Sequence, residues 1–501
     1  MSGATGDIIV PGYNPNNLVP GIYAGFDASN ANTSPGPNQQ TLIIGQIKGA
    51  TRTFVAGVPQ LIGSTAAAIA ACGNDGCLLA KLITRYRQDD PQGTVWVLPL
   101  LDDGSASQAT NVIVFTGTAT AAGAVYLYVG GVLTTTAVNV GDTATVVAGN
   151  VAATIDSTYG VPASAAAATG TLTITAEDAG IDAGEGCQTV LNYLGAQGGQ
   201  VTPAGITIGA PTFTAGTVNP VTGLTAALAN CGTMNFDFIV FPYTDTTSMN
   251  LISAFLSQST GRWSIQQQLY GAAFLGFSGT LSQRTTWSDA RDDQFLTAIS
   301  NTGSPTPAYE WAASFAAVCA ASVRVNPAIP LGWLPMSVLP PQQVNIDIPS
   351  EQQTLLTSGL STYYVSGGGV VYLQRAVTFY VTNPQGYPDN SWRDVNTLYT
   401  LMACIRQMIR VLSSQFQRKI LVADGTVVAG GTGQVTSQTV LAAANAIYVT
   451  LCNQAWAQSP TVFIQNSRAQ NQGNGTVTLF LPIDVADQLW IIAIDCQFLK
   501  S

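Results

Sequence analysis

Apolar runs alternate with helical patterns over residues 42–98 and again beyond residue 216. Leu42-Ile43-Ile44-Gly45 and Val95-Trp96-Val97-Leu98 predict buried strands, and between them Ser64 is placed to cap a helix running to about Tyr86. The alternation resumes with a helix near 220–230, the strand Phe236–Phe241, a helix over roughly 247–260, a strand Phe274–Phe277 and a helix Ala308–Val323. Strands that are apolar on both faces and separated by helices predict a parallel sheet covered on both sides, an α/β core.

The stretch 104–215 has a different texture, with Thr, Val, Ala and Gly in alternation. Ala124–Val129, then Gly130-Gly131, then Val132-Leu133-Thr134 is a hairpin signal. A small β domain inserted into a loop of the core is expected there, since insertion is tolerated at exposed loops with close ends. Beyond about 340 the pattern changes again. Strands are expected at Val370–Leu373, Val377–Val381 and Val477–Leu481, and a long helix over Trp392–Gln417. In that helix Val395, Leu398, Met402, Ile405, Ile409, Leu412 and Phe416 form one stripe at spacings of three and four. These textures divide the chain into an arm at 1–25, a discontinuous core of 26–103 plus 216–345, the inserted β domain 104–215, and an α+β domain 346–501 ending in an arm from about 487. At ~100–200 residues per domain, a chain of 501 residues has room for them.

Composition changes the picture in one respect: only 9% of the residues are charged, against about 25% in an ordinary soluble domain. Such a chain is expected to hide surface against other subunits. The net charge of −10 argues against nucleic acid as a partner. No base occurs between Arg87 and Arg262, whereas Arg375, Arg393, Arg406, Arg410, Arg418 and Lys419 face only Asp389 and Asp394 within 375–419. This asymmetry can steer association between copies.

Chemistry is excluded more sharply. With no histidine, there is no Ser-His-Asp or Cys-His arrangement and no His-containing zinc site. None of Lys48, Lys81, Lys419 and Lys500 stands in a P-loop setting, and no GxSxG or GxGxxG occurs. The eight cysteines are scattered and read as buried free thiols. No cofactor, no metal and no enzymatic activity are expected. Neither a signal peptide nor a run long enough to enter a membrane is apparent.

Several motifs in order resemble the contractile-tail sheath proteins of Mu-like phages. They are Val19-Pro20-Gly21-Ile22-Tyr23, Thr41–Gln46, Trp96–Leu100, Gly141-Asp142-Thr143, Gly261-Arg262-Trp263, Asn326–Leu331, Gly359–Thr362, Asp394–Leu401, Ala423-Asp424-Gly425 and Pro482-Ile483-Asp484. The resemblance implies a subtilisin-like α/β core without proteolytic activity, an outward inserted domain and a C-terminal domain facing a tail tube. It further implies a helical homo-oligomer of stacked hexameric rings in the virion tail, assembled in the host cytoplasm. The expected partners are other copies, the tube protein, the baseplate and the tail terminator, and contraction would need no nucleotide. Two other readings stay open, a self-assembling shell protein and a degenerate subtilisin-like hydrolase using a lysine or carboxylate base.

Two sets of residues are candidates for assembly. Ile8, Ile9 and Val10 in the first arm, with Leu489, Ile491 and Ala493 in the last, are apolar strand segments suited to pairing with a neighbouring copy. Arg406 and Arg410 lie four residues apart beside the helical stripe and are expected to face an acidic partner, either the tube or a neighbouring subunit.

Overall fold

The computed structural model describes residues 39–427 and 433–497. Its centre is a six-stranded sheet in the order Leu296–Asn301, Ala272–Ser278, Phe238–Val240, Gln40–Gln46, Thr94–Leu100, Gln60–Leu61. All pairings are parallel except that of the short Gln60–Leu61 edge. In register, Leu42 lies between Ile239 and Trp96. The central strands are buried on both faces because helices cover each side, which is why their sequences do not alternate. The fold is mixed α/β.

The helix expected from Ser64 to Tyr86 is two helices, Thr65–Cys72 and Leu78–Asp89. Ser64 does cap the first, its Oγ accepting the Ala67 N–H at 3.3 Å. Gly73 ends it at φ +86°, a left-handed conformation in which a Cβ would strike the Lys48 carbonyl.

Within 104–215 the expected hairpin is present, Gly123–Val129 pairing with Val132–Val138. Gly130 and Gly131 both have positive φ, as a two-residue hairpin turn of this hand requires. The segment carries its own apolar cluster, including Ile113, Phe115, Leu127, Val151 and Leu172. It is not purely β, however. A helix, Ala144–Ser157, is capped by Thr143 and buries Val147, Val151 and Ile155. Those residues recur every four positions, but their β-branched, Ala-rich surroundings mask the period.

The packing does not break at 345/346. Leu355, Val371, Leu373, Val395, Leu398 and Met402 all join the main core. Val377–Val381 is not a strand; Val377 and Thr378 make isolated bridges to Asp394 and Thr297. The expected long helix is Val395–Phe416. Its first half buries Val395, Leu398 and Met402 in the main core, and Cys404 and Met408 pack in a second cluster with Tyr448, Leu451 and Phe463. The stripe therefore serves two cores, and Ile409 within it is left 40% exposed. The second cluster is completed by helices Ser437–Asn453 and Pro460–Asn466, with Leu481 and Ile483 after the hairpin Arg468–Gly473/Thr476–Phe480 packed against it.

Candidate assembly site

The last described segment is positioned by Tyr448. This side chain stacks on Phe463 with centroids 3.6 Å apart, and its O–H donates to the Gln458 carbonyl at 2.7 Å. The Gln458 N–H donates to the Asp484 carbonyl at 2.9 Å and the Ala486 N–H to Trp456 O at 3.2 Å. Beyond Ala486 main-chain pairing stops. Among the described residues no backbone group of 487–497 makes a hydrogen bond, and the segment is neither strand nor helix. Leu489, Ile491, Ile492 and Ile494 are 67–79% exposed, and Ala493 is exposed with them. Among residues 489–494, Trp490 alone is half-buried. Its ring lies 4.9 Å from the Arg375 guanidinium and 6.1 Å from the Trp333 ring. Arg375 is itself fixed by two hydrogen bonds to Asp394, at 2.9 and 3.1 Å. An apolar, unpaired segment is thus held at one ring and open along its length.

Ile8, Ile9 and Val10 lie outside the described residues. The two arginines, expected to act together, are separated in role. Arg406 forms an ion pair with Asp237 and donates to Tyr270 O at 3.1 Å and Asn235 Oδ1 at 3.3 Å. Asp237 is buried and also accepts the Gln40 N–H at 2.9 Å. Burial pushes its carboxyl above the usual range, and the Arg406 charge pulls it back. Arg406 thereby pins the long helix to the start of two sheet strands, and the acidic group it meets belongs to its own chain. Its partner stands 169 residues away in sequence, so spacing on the helix could not reveal it.

Arg410 is exposed and donates only to Gln407 Oε1 at 2.5 Å. It borders a groove of about 650 Å³ that opens beside Gln39 and is lined also by Arg324, Tyr399 and Trp456. The basic excess of 375–419 narrows accordingly. Arg375 and Arg393 pair with Asp394, while Arg410, Arg418 and Lys419 are exposed with no ion pair among the described residues.

Lys81 sits 3.3 Å from Glu310 and Lys48 3.6 Å from Asp102. Of the eight thiols, Cys72, Cys77, Cys187, Cys231, Cys319 and Cys404 are buried, Cys452 is half-buried and Cys496 is exposed. No group of acids and thiols suited to a metal occurs among the described residues, and no helix there is long and apolar enough to cross a membrane.

Comparison with known proteins decides the family. Residues 219–379 match the phage tail sheath protein central domain. The chain is 34% identical over 424 residues to the Mu-like prophage FluMu tail sheath protein of Haemophilus influenzae, covering 84% of this chain and 85% of that one. The chain belongs to the phage tail sheath family. A chain of the anti-feeding prophage baseplate shares the fold at 11% identity with a TM-score of 0.50, covering 97% of this sheath chain and 100% of that one. The sheath tail protein of Desulfitobacterium hafniense is also similar, at 12% identity and a TM-score of 0.45 over 93% of this chain and 100% of that one. This sheath protein is a structural component of a contractile phage-type tail, and its relatives are structural proteins.

Proposed function

We propose that this chain is the sheath subunit of a contractile tail that polymerises by exchanging its terminal segments between copies. The observation that carries the reading is the segment 487–497, without main-chain partners among the described residues, whose run Leu489–Ile494 is apolar on both alternating faces and exposed except at Trp490. A strand in that state is completed by another chain: main-chain hydrogen bonds supply affinity, and alternate side chains set register. Leu489, Ile491 and Ala493 would line one face of the added strand, with Ile8-Ile9-Val10 as the complementary arm. The product is a helical homo-oligomer of stacked hexameric rings around a tail tube, bounded by baseplate and terminator, with the segment 104–215 as an outward domain on a subtilisin-like core. The collapse that drives the tube through an envelope would draw on a metastable lattice and not on nucleotide, and the subunit would do no catalysis.

The test is a full-length Ile491→Asp/Ala493→Asp variant, imaged and sized beside the natural chain. A folded monomer with the natural far-UV spectrum and no tubes is expected. Tubes of normal length and number would refute segment exchange through this arm. Sheets or closed particles from the natural chain would refute the tubular sheath in favour of a shell.

A further inference from the structure

We propose that the joint between the segment 104–215 and the α/β core is proton-sensitive, closed by Asp178, Asp182 and Glu185 seated against the starts of core helices. Each seat is visible in the geometry. Asp178 Oδ2 accepts the N–H of Leu78, the first residue of helix Leu78–Asp89, at 2.6 Å. Glu185 Oε2 accepts the N–H of Ala308, the first residue of helix Ala308–Val325, at 2.5 Å. Asp182 accepts the Thr244 N–H at 3.0 Å, the Thr244 O–H at 2.5 Å and the Asn219 amide at 2.6 Å. Thr244 directly precedes Asp245, the cap of helix Thr246–Leu256. Three acids within one short stretch thus reach three separate helices of the core.

The charge around them does not balance. Glu177 on the same strand, Asp102 after a core strand and Asp245 at the third helix add three more carboxylates. Against these six stands Lys48, 3.6 Å from Asp102. Tyr243, Tyr309, Cys77 and Cys187 nearby carry no positive charge, and Glu310 at the start of the second helix is met by its own cations, Lys81 at 3.3 Å and Arg85 at 2.6 Å. Asp178 and Asp182 are 3% and 7% exposed, so water does little to screen the excess. Asp178 Oδ1 and the Tyr243 hydroxyl have no partner among the described residues. A buried charge on such an oxygen costs more than a neutral one.

Burial pushes Asp182 up to about 6 and Asp178 up to about 7, and Glu185, which keeps some solvent contact, is raised as well. The order of the two aspartates follows the donors, since the three-donor seat tolerates charge better than the one-donor seat. Carboxyls raised above their ordinary range stabilise the seated state fully below that range, and the contribution is lost as pH rises through about 6 to 7. The joint is therefore tight in acid and loosens toward alkaline pH, while the sheet beneath it stays folded.

The experiment is hydrogen exchange on the unpolymerised full-length chain from about pH 5.5 to 8.5, corrected for base-catalysed chemical exchange. Peptides spanning 178–187 are read against those of Gln40–Gln46. Since each unit of raised pKa is a factor of ten, relative exchange at 178–187 is expected to rise about tenfold or more across the range. Asp178→Asn, which holds that seat neutral, is expected to flatten much of the rise. A flat ratio in the natural chain, or an undiminished rise in Asp178→Asn, would overturn the proposal. If that variant does not fold, carbon-13 titration of the side-chain carboxyls in the natural chain decides. Asp178 titrating above pH ~5 supports the joint, and Asp178 titrating below it refutes it.

Discussion

Replacing Arg406 by Gln removes the cation from a carboxylate that cannot reach water. Asp237 has 1% of its side chain exposed and Arg406 20%, so the pair is buried on one side and partly wet on the other. Breaking a buried pair from one side costs about 3–5 kcal/mol. The Gln40 N–H still serves Asp237 Oδ2 in the variant, and a carboxyl already pushed up by burial takes a proton instead of remaining charged. Both effects place the loss at the low end, about 3 kcal/mol, or roughly two powers of ten in local opening. Native-state hydrogen exchange of residues 40–46 and 237–240 measures this directly, with strand Gly123–Val129 of the separate cluster as internal reference. The loss is expected to shrink as pH falls through the carboxylate range, because a protonated Asp237 no longer needs a cation. Protection of both strands within about twofold of the natural chain, the scatter of a surface change, would refute the structural role assigned to Arg406.

Arg410→Glu is expected to leave folding within about 0.5 kcal/mol and to weaken co-sedimentation with an acidic partner in a salt-dependent way; equal pelleting with tube across a salt series would dismiss a partner-facing Arg410. Trp490→Ala removes a ring–guanidinium contact of about 0.5–1 kcal/mol at an exposed site. It is expected to speed proteolytic clipping after residue 486 without altering the melting of the core, and unchanged clipping would show that Trp490 does not hold the segment.

The parallel sheet was legible because burial on both faces leaves a plain apolar run such as Leu42-Ile43-Ile44, which turn residues bound on either side. The 123–138 hairpin was legible because Gly130-Gly131 supplies the two positive φ angles that its turn needs. Helix Ala144–Ser157 was not, since Val147, Val151 and Ile155 sit beside Thr145, Val146 and Thr154, β-branched residues that suit a strand better than a helix. The amphipathic stripe identified helix Val395–Phe416 but not its two destinations, because Met402 and Met408 look alike in sequence while packing in different cores. Long-range polar partners were least legible. Arg406 and Asp237, or Glu185 and Ala308 N, meet only once the chain has folded over more than a hundred residues. The exposure of Ile491 was foreshadowed by a run apolar on both faces, whereas its anchorage through Trp490 depends on Arg375 and Trp333 arriving from elsewhere.

The distribution of thiols has a practical consequence. Cys496 is the exposed cysteine among the described residues, and it lies two positions beyond Ile494. A maleimide dye added to intact subunits therefore reacts first at the end of the terminal segment, ahead of the half-buried Cys452 and the six thiols inside. On the exchange proposed above, laying that segment against another copy would shield the same sulfur. Dye uptake per chain then counts the fraction of ends still uncapped, and following it with time converts polymerisation into a fluorescence trace obtained without changing a residue.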